Sequence, residues 1–342
     1  MTNLINLTKI TNMNILKDQQ LNQYNTIKIG GLIKYVFLPI SLEQIVESVV
    51  FCDNNKVPFV ILAGGSNVVF DDDNLGYNQA VINLKDYNSI TFDKDKQTIK
   101  CDCGTVLQDL VDLSLNSGSG TMVGLNRIPG TIGGAIVGNA GAYGTEIKDI
   151  VKSVSYIRIS EILSGQKGGQ NNQTKQPTIH TLNNTDCQFQ YRDSIFKKDR
   201  DIVVVSTILN IPISTDIQSD QARYDTIATK RDSVYPMGFK SPGSLFKNII
   251  WSNLTTEQQD RIPKDWVVYG NKLPVGRLLE ELNLKGKTIG GIKMTDNHPN
   301  IMLNFNNGDY KDATDLVQFL QSQVKTNFGI DIEPEVRFLS QF

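Results

Sequence analysis

Three short motifs place ionisable or hydroxyl side chains in irregular backbone. Tyr191-Arg192-Asp193-Ser194 lies between two strand-like stretches. Its arginine offers a fork of donors that can stabilise an enolate or a carboxylate. The plainer reading is a surface ion pair. Pro242-Gly243-Ser244-Leu245-Phe246-Lys247-Asn248 sets a serine in a Gly-flanked turn that can project its hydroxyl into a cleft, with Lys247 and Asn248 beside it to hold phosphate or carbonyl oxygens. The competing reading is a helix N-cap at Ser244. Glu333-Pro334-Glu335 lies among Ile332, Val336 and Phe338. Apolar neighbours raise a carboxyl's pKa and let it act as an acid; the alternative is a surface glutamate on an edge strand. Taken singly, each motif favours its plainer reading.

Two glycine clusters add a ligand-binding signature. Gly64-Gly65-Ser66-Asn67 follows an apolar run. A loop without side chains lets backbone N–H groups approach a phosphate, and Ser66 and Asn67 add side-chain donors; a simple turn after a strand explains it equally well. The block from Gly124 to Gly144 holds seven glycines, among them Gly130, Gly133, Gly134 and Gly141, with Thr131, Asn139 and Ala142 between them. Each glycine costs roughly 0.5–1 kcal/mol relative to alanine inside regular elements. Close backbone approach to a flat or phosphate-bearing ligand accounts for so many; a loop-rich sheet edge is the alternative. No G-x-x-x-x-G-K-[ST] motif occurs, and Gly118-Ser119-Gly120 followed by Gly124 comes after a helix, which argues against a Rossmann fingerprint.

The elements that must position these motifs are legible from periodicity. Ser41 with Gln44 reads as a capping box opening a helix through Leu42, Ile45, Val46, Val49 and Val50. Val57 to Leu62 reads as a buried strand, so that an α/β unit precedes Gly64. A second helix is predicted over Val106 to Asn116. Strand-like pieces follow up to Pro212, including Val154 to Ile159 and Ile202 to Leu209. Ser164 to Thr178 is Gly/Gln/Asn/Lys-rich and reads as a solvated hairpin extension or a disordered insertion. Gln218 to Arg231 reads as a linking helix, with Pro236, Gly238, Pro242 and Gly243 marking a boundary. Beyond it come a helix at Val275–Leu282, strands at Ile289–Lys293 and Ile301–Asn304, an amphipathic helix at Ala313–Phe328, and a strand-like end from Ile332 to Phe338. Met1 to Asp18 is polar and reads as a loosely held leader.

Composition narrows the functional classes. The 342 residues allow two or three domains. A net charge of -2 argues against a nucleic-acid partner. Four cysteines without a C-x-x-C pair and only two histidines argue against a disulfide framework and a zinc site, and free thiols suit a reducing cytoplasm. No run of 18 apolar residues exists, so no membrane insertion is expected.

In chain order the motifs are Asn25-Thr26-Ile27-Lys28-Ile29-Gly30-Gly31, Gly64–Asn67, Ile128–Ala135, Asn139–Gly144, Tyr191–Ser194, Gly243–Asn248, Leu284-Lys285-Gly286 with Ile289-Gly290-Gly291, and Glu333–Phe338. As an ordered set this resembles the UDP-N-acetylenolpyruvoylglucosamine reductase family, over most of the chain. The resemblance implies an α+β fold with a two-part FAD-binding domain of the vanillyl-alcohol-oxidase (PCMH) type and a smaller α/β substrate-binding domain. Residues 1–18 would be a flexible leader. FAD-binding parts would span 19–85 and 86–231, with a polar insertion at 164–178. A domain at 232–331 would close over the substrate, and a tail at 332–342 would return to the flavin.

FAD would be bound non-covalently by Gly64, Gly65, Ser66, Asn67, Gly130, Thr131, Gly133, Gly134, Asn139, Gly141 and Ala142. The implied reaction is NADPH-dependent reduction of UDP-N-acetylglucosamine-enolpyruvate to UDP-N-acetylmuramate, a peptidoglycan precursor. Arg192 and Glu335 would stabilise the enolate, Ser244 would protonate it, and Lys247 and Asn248 would bind substrate. The interval from Arg192 to Ser244 matches the shorter-loop type of the family. Val275-Gly276-Arg277-Leu278-Leu279, Pro299 and Ile249 depart from the family's commoner residues. A flavin-fold oxidase with histidine-linked FAD is the rival enzyme, which neither His180 nor His298 is placed to serve. A nucleotide-sugar-binding or flavin-binding protein without turnover is the non-enzymatic rival.

Overall fold

The computed structural model describes residues 13–166, 176–234, 238–268 and 270–342. Strand β1 (Asn14–Gln20) pairs antiparallel with β2 (Leu32–Leu38). The reading of 1–18 as a leader is thus corrected for residues 14–18, which are tied into a sheet; residues 1–12 lie outside the described ones. Helix α1 (Leu42–Asn54) begins where expected. The Ser41 hydroxyl accepts from Gln44 N, but the Gln44 side chain accepts from Ile40 N rather than completing the box on Ser41. Strand β3 (Phe59–Leu62) follows, then β4 (Val68–Phe70) and β5 (Ala80–Asn83). β5 lies between β2 and β3 and runs parallel to both. Gly64–Asn67 is therefore the loop leaving the end of β3.

The second lobe adds β6 (Ile90–Asp93), β7 (Thr98–Asp102), α2 (Leu107–Asn116) and a short α3 (Ile132–Val137) inside the glycine block. The small hairpin β8 (Gly141–Ala142) and β9 (Thr145–Glu146) leads into β10 (Val151–Arg158) and α4 (Ile159–Gln166). The polar insertion at 164–178 thus begins in the last turn of α4, and residues 167–175 lie outside the described ones. β11 (His180–Asn183), α5 (Ile195–Lys198) and β12 (Ile202–Asn210) complete an antiparallel sheet of order β11-β10-β12-β7-β6. One core joins α1 (Ile45, Val46, Val49) to this sheet (Ile99, Val154, Val203, Leu209), so both lobes are clamped by shared apolar burial. Helix α6 (Ile217–Val234) is the connecting helix; the boundary residue Pro236 lies outside the described residues.

The third lobe holds β13 (Ile249–Ile250), α7 (Thr256–Asp260), β14 (Lys272–Leu273) and α8 (Val275–Glu281). The strand predicted at Ile289–Lys293 is instead a hairpin of β15 (Thr288–Ile289) and β16 (Ile292–Met294). Gly290 turns the chain at φ +51, and a side chain on Gly291 would collide with the Gly308 backbone. After β17 (Met302–Asn304), α9 runs over Tyr310–Phe328, three residues earlier than apolar periodicity indicates, because Asp309 and Asp312 form a capping box. Gly329 ends it at φ +71.

The end of the chain is only in part a strand: β18 (Arg337–Leu339) runs parallel to β4. The preceding residues pair irregularly, Pro334 opposite Phe246. Ile27, Ile29 and Val69 from the first lobe pack with Leu245, Phe246 and Val336 in the third lobe's core. Among the described residues no helix is long and apolar enough to cross a membrane.

Candidate active site

Arg192 occupies a two-residue turn closed by reciprocal bonds between Gln190 and Asp193, of 2.9 and 3.2 Å. Its φ is +56, a backbone region that side chains other than glycine enter at a cost. From there the guanidinium reaches the carbonyls of Gly141 (2.7 Å) and Asn139 (3.5 Å). Its Nε stands 2.8 Å from Glu335 Oε1. The Nε–H does not point along that line, since Arg192 Nε has no aligned hydrogen-bond partner. The contact is a close ion pair with an unused donor.

Both partners are one-fifth exposed. Burial pushes the Glu335 carboxyl above its ordinary value, and it outweighs the opposing pull of Arg192, Lys197 and Lys247. A carboxyl whose affinity for a proton is raised beside a fixed guanidinium can, when it takes up that proton, donate a hydrogen bond and sit next to a substrate anion.

Glu335 is held by main-chain contacts on both sides. Its N–H donates to Leu245 O (2.8 Å), and its carbonyl accepts from Asn67 Nδ2 (3.2 Å). The first of these ties Glu335 to the residue following Ser244. Ser244 bridges Ile301, and no helix begins there, so the N-cap reading is excluded. Asn300 buttresses the segment: its carbonyl accepts from Leu245 N (2.7 Å), and its side chain bonds Phe246 N and O.

Lys247 pairs with Glu333 at 2.6 Å, and since that glutamate is 72% exposed the pair is weak and the amine is available. Asn248 is partly committed. Its N–H donates to Tyr191 Oη (3.1 Å) and its Oδ1 accepts from Val275 N at the start of α8, which leaves Nδ2. Lys272 covers the Tyr191 ring at 4.1 Å and stands 3.7 Å from Glu146.

The two glycine clusters meet. A side chain on Gly64 would lie 2.7 Å from Gly130 Cα, and Ser66 Oγ donates to Pro129 O (3.1 Å). Gly65, at φ +63, abuts Tyr24 O. Gly133 packs on Cys103, whereas Gly134 is open beside Ala63. Part of the glycine requirement is therefore backbone packing rather than ligand approach.

Asn139 is fully buried with its amide internally bonded to Gln190 O and Lys148 N, so its side chain is a structural tie. Gly141 and Ala142 form β8, and the Gly141 carbonyl serves Arg192. Three buried hydroxyls, Thr26 Oγ1, Thr105 Oγ1 and Thr131 Oγ1, have no partner. Thr26 and Gly64 border a cavity of about 350 Å³ that Lys28, Lys85 and Lys240 also line. Orphaned donors and a basic cavity beside a side-chain-free loop fit a diphosphate-bearing cofactor.

Sequence reasoning passed over Lys197, whose Nζ donates to Arg192 O (2.9 Å), and Lys272. Neither lysine carries a motif, and the place of each follows from a turn or hairpin that sequence does not reveal.

Architecture and site together define a two-part FAD-binding protein with a third lobe. The family model for the FAD binding domain matches residues 33–160. That for the UDP-N-acetylenolpyruvoylglucosamine reductase C-terminal domain matches residues 235–339. UDP-N-acetylenolpyruvoylglucosamine reductase of Clostridium botulinum (strain Eklund 17B / Type B) is 30% identical over 98% of this chain and 96% of its own. UDP-N-acetylenolpyruvoylglucosamine reductase 2 of Bacillus cereus (strain ATCC 10987 / NRS 248) is 28% identical over 96% of this chain and 93% of its own. The crystal structure of the Thermus caldophilus reductase superposes with a TM-score of 0.69 at 22% identity, covering 95% of this chain and 99% of that one. The chain belongs to the UDP-N-acetylenolpyruvoylglucosamine reductase family, and the FAD-binding α+β fold that the sequence resemblance implied is the fold present.

Proposed function

We propose that this protein reduces UDP-N-acetylglucosamine-enolpyruvate to UDP-N-acetylmuramate, with NADPH as reductant, in peptidoglycan precursor synthesis. The observation that carries the reading is the Arg192–Glu335 pair, 2.8 Å apart and enclosed by the first-lobe loop, the second-lobe turn and the chain terminus. FAD, when bound, supplies the hydride chemistry between nicotinamide and the enolpyruvyl double bond. Gly64–Asn67, Gly130, Thr131, Gly133 and Gly134 would hold it, Thr131 with its free hydroxyl and Gly134 with its open face.

The chain's own residues manage charge and protons. Arg192 binds the substrate carboxylate as negative charge builds there, and its pre-set position means little reorganisation in the transition state. Glu335, protonated, donates a hydrogen bond to the same oxygens. The Ser244 hydroxyl delivers the proton to C2. Lys247 and the Asn248 Nδ2 face the nucleotide-sugar. The lobes at 19–85 and 86–231 hold the cofactor, and 232–331 closes over the substrate. Four free, buried cysteines suit a cytoplasmic location.

Anaerobic absorbance tests the reading. Bleaching of the flavin band by NADPH, followed by recovery on adding UDP-N-acetylglucosamine-enolpyruvate, is the expected result. Bleaching that only oxygen reverses would assign an oxidase, and a protein that takes up no FAD would overturn the proposal.

A further inference from the structure

The turn that carries Arg192 needs an external restraint. Tyr191 and Arg192 are its two central residues, and the φ of +56 at Arg192 is a position where glycine is usual. Strain of this kind persists only where the surroundings hold it, and it gathers at functional sites. α5 begins three residues later, and Lys197 on it reaches back so that its Nζ donates to the Arg192 carbonyl at 2.9 Å. This charge-assisted bond closes a second ring around the same residue. The exposed neighbour Lys198 instead pairs with Asp193 at 3.1 Å.

We propose that Lys197 is a positioning residue for the reduction, clamping the main chain of Arg192 so that its guanidinium stays against Glu335 and adding a fixed positive charge toward that carboxyl. The proposal rests on the function assigned above. The charged and titratable groups that act on Glu335 are Arg192 and Tyr191 from the turn, Lys197 from α5 and Lys247 from the segment after Ser244. Those acting on Lys197 are Lys247, Asp193, Glu335 and Glu333. Burial, and then Lys247, push the Lys197 ammonium below its ordinary value, while Lys197 draws Glu335 down against its burial. Removing the lysine charge and loosening Arg192 therefore act in the same direction on Glu335: both raise its affinity for a proton.

The test compares the FAD-loaded wild type with Lys197→Met, Lys197→Gln and, as control, Lys198→Met. Infrared difference titration follows the Glu335 carboxyl without substrate, its band identified by its loss in Glu335→Gln. Stopped-flow absorbance follows the two half-reactions. In Lys197→Met, Glu335 titrates at higher pH than in wild type. Flavin reduction by NADPH changes by less than about twofold, and reoxidation by the enolpyruvyl substrate slows about 100-fold, the size of effect a displaced catalytic group produces. Lys197→Gln, which keeps a donor but no charge, retains more of the rate and shows the upward titration. Lys198→Met resembles wild type. An unchanged or lowered Glu335 titration, or an equal loss in both half-reactions, would overturn the proposal. A wild type that substrate fails to reoxidise would sink the functional reading instead, and the infrared comparison would still decide the role of Lys197.

Discussion

Asn67 and Glu335, 268 positions apart in the chain, are joined by a 3.2 Å bond from the Asn67 amide to the Glu335 carbonyl. Two residues further on, Arg337 N–H returns to Asn67 O at 3.1 Å. The loop of the first lobe proposed to hold the cofactor diphosphate is thus tied to the main chain of the residue whose carboxyl is proposed to serve the reaction. Loop and acid form one unit, which shapes what substitutions on either side will do.

Ser244→Ala is expected to leave flavin reduction by NADPH nearly intact and to slow reoxidation by substrate by about 10²–10⁴-fold, the usual contribution of a placed proton donor. Ser244 sits in an irregular bridge to Ile301, with its main chain buttressed through Leu245 and Phe246, so the fold survives the loss of a hydroxyl. Stopped-flow traces of the separate half-reactions decide it; equal losses in both would remove Ser244 from the proton path.

Glu335→Gln probes the charge state of the carboxyl. Because burial raises its folded-state value above the ordinary 4.5, the folded protein binds this proton more tightly than the unfolded chain. The resulting stabilisation is fully present below the unfolded value and is lost as pH rises through the folded value. Thermal melts of the glutamine variant should therefore decline less than wild type over that interval. In the substrate half-reaction the wild-type rate falls on the alkaline side as Glu335 ionises, and the variant lacks that limb. A retained limb would assign it to another group.

Gly64→Ala and Gly138→Ala separate packing from composition. A methyl on Gly64 would stand 2.7 Å from Gly130 Cα, where only backbone can give way, whereas on Gly138 the nearest atom is 3.7 Å away at negative φ. The first variant should purify largely without FAD and the second with near-wild-type occupancy, as read from the flavin-to-protein absorbance ratio.

Asn139→Ala removes a fully buried amide at φ +40 that ties Gln190 to Lys148 beneath the Arg192 guanidinium. Both bonds are part-buried, so losing each costs about 0.5–1.5 kcal/mol, and alanine adds strain at positive φ. An apparent Tm lower by several degrees is expected, with weaker binding of the enolpyruvyl substrate. A melt unchanged from wild type would show that the tie is dispensable.

Local chemistry was legible without coordinates. Ser41, the apolar spacing after it and the run into Gly64 specify α1, β3 and the loop because capping, helical period and buried-strand composition act over a few residues. Arg192, Ser244 and Glu335 were each readable as residues suited to anion and proton chemistry, and their motif order implied the family. Tertiary structure alone set Arg192 against Glu335 and tied the Glu335 main chain to the residue after Ser244. The N-cap alternative at Ser244 fell because Ile301 pairs with Ser244 and Asn300 takes up Leu245 and Phe246 after it. The Asn139 side chain is a buried tie because its partners come from Gln190 and Lys148. The hairpin at Gly290-Gly291 depended on Gly308, and the bond from Lys197 depended on the turn at Arg192. In each case the deciding partner is another segment brought close by the shared cores, and neither periodicity nor spacing encodes the long-range pairing that burial imposes.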